Sequence, residues 1–245
     1  MNELRQRNGF TLIEMVLVIV IMGIISTIAM KSLQSSTEQR RFDATTEEME
    51  VLARAIVGDE RLVSGGVRAD FGYVGDVGAL PSSLDDLIAN PGGYATWKGP
   101  YFRVDFSEHT DDHQRDAWNE LYTYTGGVTI ASSGGGSAIT RELANSVNDL
   151  TLNTINGIVR DNRLSPPGDS ASSVTITIRY PNGSGATTSA SATPSNSGEF
   201  SFSSLIPIGI HAIEAVINAD TVSKFVAVYP GRDSYTELRF SSNVW

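Results

Sequence analysis

The first hydrophobic pattern along the chain is an apolar run from Phe10 to Met30, in which Glu14 is the one charged residue. As a helix rising about 1.5 Å per residue, a run of this length crosses a bilayer core of about 30 Å. The pattern therefore predicts a transmembrane helix over 10–30. An ionised acid inside such a segment costs roughly 2.5 to 3.5 kcal/mol, so Glu14 requires either a partner or a functional reason.

The basic residues that flank this run predict its orientation. Arg5 and Arg7 precede it, and Lys31 follows it directly. A weak excess of positive charge before the run favours a cytoplasmic N-terminus, with the rest of the chain on the other side of the membrane. The competing interpretation is a secretory signal peptide, which has an apolar core of about 7 to 15 residues and an A-x-A-like cleavage site. Neither feature is present in this run.

Past the membrane run, an apolar stripe at helical spacing continues the helix to about Gly58. The stripe consists of Phe42, Thr45, Met49, Leu52 and Ile56. We expect this stripe to pack on a small sheet. The acids Glu47, Glu48 and Glu50 lie off the stripe and are interpreted as a solvated face of the helix.

The segment from 78 to 124 combines a short predicted helix with a cluster of aromatic residues. The helix has Ser82 or Ser83 near its cap and an Asn-Pro-Gly-Gly exit. The aromatic residues beyond it are predicted to anchor a small core, and a Gly-Pro step is predicted to turn the backbone. The residues of this cluster are Trp97, Gly99, Pro100, Tyr101, Asp116, Trp118 and Tyr122.

From Val174 onward, apolar and polar residues alternate with the period of a half-buried strand. A turn is predicted at 181–183, and further strands are predicted from Gly198, over 210–217 and over 222–229. Short alternating strands separated by regular turns indicate a small β-sandwich.

Composition excludes several classes of function. With 245 residues and 40% hydrophobic content, the chain has enough apolar material for two modest domains beyond the membrane run. The sequence contains no cysteine, which excludes disulfides, thiolate metal sites and cysteine nucleophiles. The formal charge of −10 argues against nucleic acid as a partner, because phosphates attract basic surfaces.

The N-terminal residues resemble the prepilin signature of type IV pilins and type II secretion pseudopilins. The resemblance rests on a short basic leader that ends in Gly9, followed by FTLIE from Phe10 to Glu14 and the apolar helix. It implies that a prepilin peptidase cuts between Gly9 and Phe10 and methylates the new Phe10 amine. It also implies that Glu14 pairs with the Phe10 amine of a neighbouring subunit during filament assembly. Such pairing is physically reasonable, since two poorly solvated charges lose their penalty when they meet.

Two further resemblances concern the rest of the chain. Residues 97–124 resemble the W-K-G-P-Y and D-x-W-[GN]-x-x-Y-x-Y pattern of the major pseudopilin of type II secretion, within a similarity that runs from about residue 9 to 132. Residues from about 150 to 241 resemble the carboxypeptidase regulatory-like, transthyretin-type β-sandwich. There His211 is expected to be a packing residue rather than a catalyst. The fold implied is α+β, with a long transmembrane helix packed on a small antiparallel sheet and followed by an all-β sandwich.

A calcium site is implied by the pseudopilin resemblance but is not transferred to this chain. In secretion pseudopilins the sheet is followed by an acidic loop that holds calcium, and calcium requires several oxygen ligands. The matching stretch here carries three glycines, Gly134–Gly136, where the acids would stand. Glu142, Asn145 and Asp149 could still contribute oxygen atoms. We therefore predict no cofactor. Calcium stays an open alternative that this loop does not support.

The insert HTDDHQRD is a second candidate metal stretch. His109 and His113 are four residues apart, and on a helix this spacing would place both imidazoles on one face. The insert lies between strand-like segments, lacks an H-E-x-x-H arrangement and has no third ligand fixed by the sequence. It is predicted to be a solvated loop.

The predicted organisation is a leader at 1–9, a transmembrane and assembly helix at 10–30, a pilin-like globular domain at 31–148 and a β-sandwich at 149–245. We expect a structural subunit of a type II secretion pseudopilus or type IV pilus-like filament, not an enzyme. Its expected location is the bacterial inner membrane, crossed once, with the globular domains periplasmic or extracellular.

The family resemblance implies three kinds of partner: a prepilin peptidase, other pilins or pseudopilins of the filament, and an inner-membrane assembly platform. Two alternative functions are left open. One is a membrane-anchored extracytoplasmic binding module that does not polymerise. The other is a metal-dependent enzyme that uses the HTDDH insert.

Overall fold

The computed structural model describes residues 11–102 and 111–245. Its longest element is helix α1 (Leu12–Val57), which joins the predicted transmembrane run and the predicted amphipathic helix into one continuous element. The helix ends at Gly58, whose φ of 87° is suited to a residue without a Cβ atom. Every residue from 11 to 43 is exposed. Among the described residues, α1 is the one helix that is long and apolar enough to cross a membrane.

The buried face of α1 begins after residue 43. Thr45, Met49, Leu52 and Ile56 are buried, as the apolar stripe predicts, but Phe42 is 45% exposed. The prediction that Phe42 belongs to the packed stripe is therefore wrong. The globular part of the molecule starts about one helical turn further along α1, so Phe42 has no core to enter.

The elements that follow α1 are short. They are strands β1 (Val63–Ser64) and β2 (Val67–Arg68), helix α2 (Gly72–Val77), strands β3 (Thr129–Ser132) and β4 (Ile139–Glu142), and helix α3 (Val147–Thr151). The strands form two antiparallel hairpins, β1 with β2 and β3 with β4. Helix α1 packs against α2 and against the second hairpin, which confirms a long helix on a small antiparallel sheet. The short helix predicted after residue 78 is a 3₁₀ turn over Leu84–Leu87 that begins at the cap Ser83.

Two further sheets form the predicted sandwich. Their strands are β5 (Asn153–Arg160), β6 (Thr175–Pro181), β7 (Thr187–Ala192), β8 (Glu199–Ile206), β9 (Gly209–Ile217), β10 (Asp220–Val228) and β11 (Ser234–Arg239). One sheet has four strands in the order β10-β9-β6-β7, and the other has three in the order β11-β5-β8. All pairs are antiparallel except β11 with β5, which is parallel.

The alternating pattern places its apolar residues between these two sheets, as predicted. The buried residues of this core include Ile155, Val159, Ile176, Ile178, Phe202, Ile213, Val228 and Leu238. His211 is 2% exposed, and its Nε2 donates a hydrogen bond to the carbonyl oxygen of Pro207 at 2.7 Å. Burial lowers the pKa of His211, so the ring is a neutral packing group. The predicted packing role of His211 is confirmed.

The sandwich is packed directly on the α1 region. Ile208, between β8 and β9, is fully buried in the hydrophobic core that α1 shares, and its N–H donates to the Leu150 carbonyl at 2.9 Å. In addition, the Gly183 N–H donates to the Val77 carbonyl of α2 at 2.8 Å. Buried apolar contact and backbone hydrogen bonds together hold the two parts in a defined arrangement, unlike a flexible tether.

The predicted boundary at residue 149 leads to a test of the sandwich on its own. We expect a fragment of residues 149–245 to fold as a β-rich monomer, because its two sheets enclose a separate hydrophobic core. In the full chain, where Ile208 is buried, Ile208→Ala should lower the free energy of unfolding by about 2 to 5 kcal/mol. In the fragment, where α1 is missing, the same change should cost less than about 1 kcal/mol. Urea unfolding followed by circular dichroism measures both values. An unfolded fragment would refute the boundary.

Candidate functional site on the long helix

Glu14 lies in the first turn of α1 and is bonded to the cap of its own helix. The backbone N–H and the hydroxyl of Thr11 each donate to the Glu14 carboxylate at 2.9 Å, and the Glu14 N–H donates to the Thr11 hydroxyl at 3.3 Å. This reciprocal pattern is a capping box, which satisfies N–H groups that have no partner inside the helix. The predicted processing residues Gly9 and Phe10 lie outside the described residues.

The capping box gives Glu14 a local partner that the reasoning from sequence missed. The T-x-x-E spacing of Thr11 and Glu14 was the signal that could have revealed it. Negative charge at a helix N-terminus is also favoured by the helix dipole, by roughly 0.3 to 1 kcal/mol. These contacts reduce the cost of the acid but do not neutralise its charge, so a cation that approaches the helix end can still pair with it.

Large apolar side chains lie on all sides of α1 in the segment that contains Glu14. The exposed large side chains of this segment include Leu12, Ile13, Val16, Ile19, Met22, Ile25, Ile28, Met30 and Leu33. A helix that is apolar all round requires lipid or other helices around it, because water would solvate it poorly. We call residues 11–33 the candidate assembly surface.

The W-K-G-P-Y motif forms an aromatic corner on the core beside α1. The rings of Trp97 and Tyr101 meet edge to face, with centroids 5.7 Å apart, and both pack against the core. The Trp97 indole N–H donates to the Asp86 carbonyl at 2.9 Å. A Cβ atom at Gly99 would lie 2.4 Å from the Trp97 ring, so this position requires glycine, and Pro100 follows it. The predicted anchoring role of these two aromatic residues agrees with this arrangement.

The Asp116 carboxylate is the centre of the second motif. One of its oxygens accepts hydrogen bonds from the N–H groups of Trp118 at 2.9 Å and Glu120 at 3.0 Å. The other accepts from the Ser132 hydroxyl at 2.6 Å and the Gly134 N–H at 3.2 Å. Asp116 is 5% exposed. Burial alone would raise the pKa of Asp116, but these hydrogen bonds outweigh it and hold that pKa below its ordinary value.

Two aromatic residues of this motif fasten the loop to α1. The Trp118 indole N–H donates to the Glu38 carboxylate at 2.8 Å, and the Tyr122 hydroxyl donates to the Glu48 carboxylate at 2.8 Å. Tyr122 is buried in the shared core, as predicted. Trp118 differs from the prediction of a core-filling role, because it is half-buried, lies outside the core clusters and covers the backbone of the glycine-rich loop.

The acids of α1 are not a purely solvated face, so that prediction is wrong for two of them. Glu48 accepts the bond from Tyr122, and Glu50 accepts a hydrogen bond from the Arg141 guanidinium at 2.6 Å. Partial burial raises the pKa of Glu48, whereas the bond from Arg141 lowers the pKa of Glu50. Glu47 is exposed, as predicted. The acids therefore help to fix the direction in which α1 leaves the globular part.

Side chains at the glycine-rich loop offer few ligands to a calcium ion, and calcium stays the open alternative that the sequence left. Gly134–Gly136 offer no side-chain oxygen, and both oxygens of the neighbouring Asp116 already accept two hydrogen bonds each. Asp149 caps helix α3 by accepting from the Ser146 N–H at 3.1 Å. Within residues 11–102 and 111–245, no group of three or more acids and histidines is gathered as a metal site would require.

His113 is placed differently from the predicted solvated loop. It lies in a 3₁₀ turn (Asp112–Gln114), is 6% exposed, and its Nε2 is 3.0 Å from the Asp85 carboxylate. The prediction of a solvated insert is therefore wrong at His113. His109 lies outside the described residues, so a solvated loop stays a prediction for that part of the insert.

Two similarities to known proteins agree with this geometry. Residues 4–30 match the family model of the prokaryotic N-terminal methylation motif. This segment contains Gly9, Phe10 and Glu14. The match and the long apolar helix beside a small sheet support a pilin or pseudopilin family for the N-terminal part of the chain.

One relative of the chain is a type II secretion protein. The chain is 29% identical over 93 residues to the type II secretion system core protein G of Xanthomonas campestris pv. campestris. The match covers 38% of this chain and 55% of that relative, or about half of its length. The resemblance of the sandwich to transthyretin-type domains stays a prediction.

Proposed function

We propose that this chain is a structural subunit of a type II secretion pseudopilus or a type IV pilus-like filament. The observation that carries the proposal is the exposed candidate assembly surface, which contains the acid Glu14 and overlaps a matched methylation motif. In the membrane this surface is covered by lipid. In a filament it would be covered by the same surface of other subunits, which explains why the globular part covers none of it.

Glu14 would decide how the helices fit together. Apolar side chains gain little on passing from lipid into a helix bundle, so packing and polar contacts determine which helices associate and in which register. The Glu14 carboxylate, held toward the helix start by Thr11, would meet the Phe10 amine of a neighbouring subunit. The pair neutralises two poorly solvated charges, and it forms in one axial register only.

The globular part would orient α1 and face the filament exterior. The contacts from Trp118, Tyr122 and Arg141 to acids of α1 fix the helix direction. The sandwich, packed on this region, would decorate the outer surface. The proposed location is the bacterial inner membrane, crossed once, with these domains periplasmic or extracellular. The proposed partners are a prepilin peptidase, other pilins of the filament and an inner-membrane assembly platform.

Maturation provides the test of this proposal. In cells with an active prepilin peptidase, we expect an N-terminus at Phe10 with a methylated amine, because Gly9 has no side chain to obstruct a narrow peptidase site. Intact-mass measurement on membrane material distinguishes this product from the full chain. Gly9→Leu should leave the chain uncut at the same membrane level. A Met1 terminus in the unaltered chain, in cells that process another prepilin, would refute the proposal.

A further inference from the structure

The outer face of the three-stranded sheet carries a row of side chains suited to a polar ligand. Residues that lie side by side across β11, β5 and β8 share a face, and the register pairs Tyr235 with Asn156 and Asn156 with Ser201. Tyr235 is 69% exposed, and Ser201 is exposed as well. An exposed aromatic ring, an amide and a hydroxyl therefore stand in one line, over two strand spacings of about 4.8 Å each.

The chain segment before β8 turns this face into a groove. Residues 193–195 cross from the four-stranded sheet to the three-stranded sheet and line the same concavity as Tyr235. The groove has a volume of about 640 Å³. This volume lies within the range of about 300 to 1,000 Å³ that is usual for small-molecule sites.

Hydrogen bonds hold the polar groups of one wall in place. The Ser197 hydroxyl donates to the Glu199 carboxylate at 3.1 Å and lies 2.8 Å from the Ser195 hydroxyl. The Glu199 N–H also donates to the Ser195 hydroxyl at 3.2 Å. On the neighbouring part of the face, the hydroxyls of Ser201 and Ser203 lie 3.1 Å apart. Groups fixed before a ligand arrives lose less conformational entropy when it binds.

The chemistry of this groove indicates what it can bind. Its lining holds one carboxylate, Glu199, and no lysine, arginine or histidine, so it offers an anion no positive charge and one negative charge. Hydroxyl, amide and carboxylate groups would be left unpaired by a purely apolar ligand. A neutral sugar ring is neither an anion nor purely apolar. Its hydroxyls can pair with the polar groups, and its C–H face can lie on an aromatic side chain such as Tyr235.

We propose that this groove is a binding site for a neutral oligosaccharide, with Tyr235 as the stacking platform and Asn156, Glu199 and Ser201 as hydrogen-bonding groups. The site lies on the sandwich, outside the candidate assembly surface, and does not depend on filament formation. A subunit with this site would present a sugar-binding face on a filament, or on the membrane surface if the chain does not polymerise.

Affinity electrophoresis of the detergent-solubilised full chain tests this site. The native gel contains hydroxyethyl cellulose, xylan, soluble starch or galactomannan, with polygalacturonate as an anionic comparison. We expect at least one of the neutral polysaccharides to retard the chain and polygalacturonate to retard it less. Tyr235→Ala should weaken that retardation about tenfold, and Tyr235→Phe should preserve most of it, because the ring stays in place.

Two further variants separate binding from folding. Phe225→Ala removes another aromatic side chain, 73% exposed on the four-stranded sheet, and should leave the retardation unchanged. Asn156→Leu keeps the branching and the number of side-chain heavy atoms, removes the amide and should weaken binding severalfold. The site would be refuted if none of the four neutral polysaccharides slowed the chain. It would also be refuted if polygalacturonate slowed it more, or if Tyr235→Ala and Phe225→Ala had equal effects.

Discussion

Replacement of Glu14 by leucine should reduce incorporation into filaments by at least about tenfold, while membrane level and cleavage at Gly9 stay normal. The expected cause is the Phe10 amine of the neighbouring subunit, which would enter the helix bundle without its partner. Breaking one side of a buried ion pair costs about 3 to 5 kcal/mol, and about 1.4 kcal/mol already corresponds to a factor of ten. The measurement is filament yield, with membrane level and extent of cleavage determined in the same cells.

This experiment requires a control, because Glu14→Leu also breaks the capping box with Thr11. Loss of a helix cap costs about 0.5 to 2 kcal/mol. Thr11→Val removes the hydroxyl that bonds to Glu14 but retains the acid and the side-chain shape, so it should disturb the cap and leave assembly largely intact. Glu14→Gln should give an intermediate yield, because it keeps a hydrogen-bond acceptor without the charge. Normal filament yield for Glu14→Leu would contradict the pairing role.

Asp116→Ala is expected to cause the largest loss of stability in the globular part, about 2 to 4 kcal/mol of unfolding free energy. The change leaves the Ser132 hydroxyl and the Gly134 N–H without their acceptor, and Ser132 is 2% exposed. Unfolding of the detergent-solubilised chain by urea, followed through tryptophan fluorescence, measures this loss. Asp169→Ala, at an exposed acid in the 3₁₀ helix Gly168–Ser173, should change stability by less than about 0.5 kcal/mol.

The dependence of this effect on pH follows from the lowered pKa of Asp116. A carboxyl group with a lowered pKa in the folded state stabilises the fold above its ordinary value of 3.8 and loses that contribution as the pH falls through the folded pKa. The difference between the unaltered chain and Asp116→Ala should therefore be constant near neutral pH and shrink below about pH 3.8. A difference that grows on acidification would contradict the hydrogen-bonding role of Asp116.

Local patterns in the sequence were sufficient for the main elements. The apolar run and Gly58 predicted both the existence and the end of α1, because helix length and a residue tolerant of positive φ are local properties. Alternation of period two predicted the strands around 174–181 and 209–228 for the same reason. The hairpin of β1 and β2 was overlooked, although its two turn residues, Gly65 and Gly66, are a hairpin signal.

Contacts between distant residues could not be read from these patterns. The bonds from Tyr122 to Glu48 and from Arg141 to Glu50 join residues far apart in the chain, so periodicity alone assigned the acids to a solvated face. The same limit applies to His113, whose Nε2 contacts the Asp85 carboxylate of another turn. By contrast, the capping contact joins Thr11 and Glu14, which are three residues apart, so the sequence alone indicates it.

The most direct test of filament assembly is the composition of filaments sheared from cells in which this subunit and its assembly machine are overproduced. Electron microscopy and intact-mass measurement of the sheared material should find filaments that contain this chain with a methylated Phe10 terminus. The same preparation from cells carrying Glu14→Leu should contain little of it. If the unaltered chain were processed at Gly9 but found only as a membrane-bound monomer, the account of a filament subunit would be contradicted.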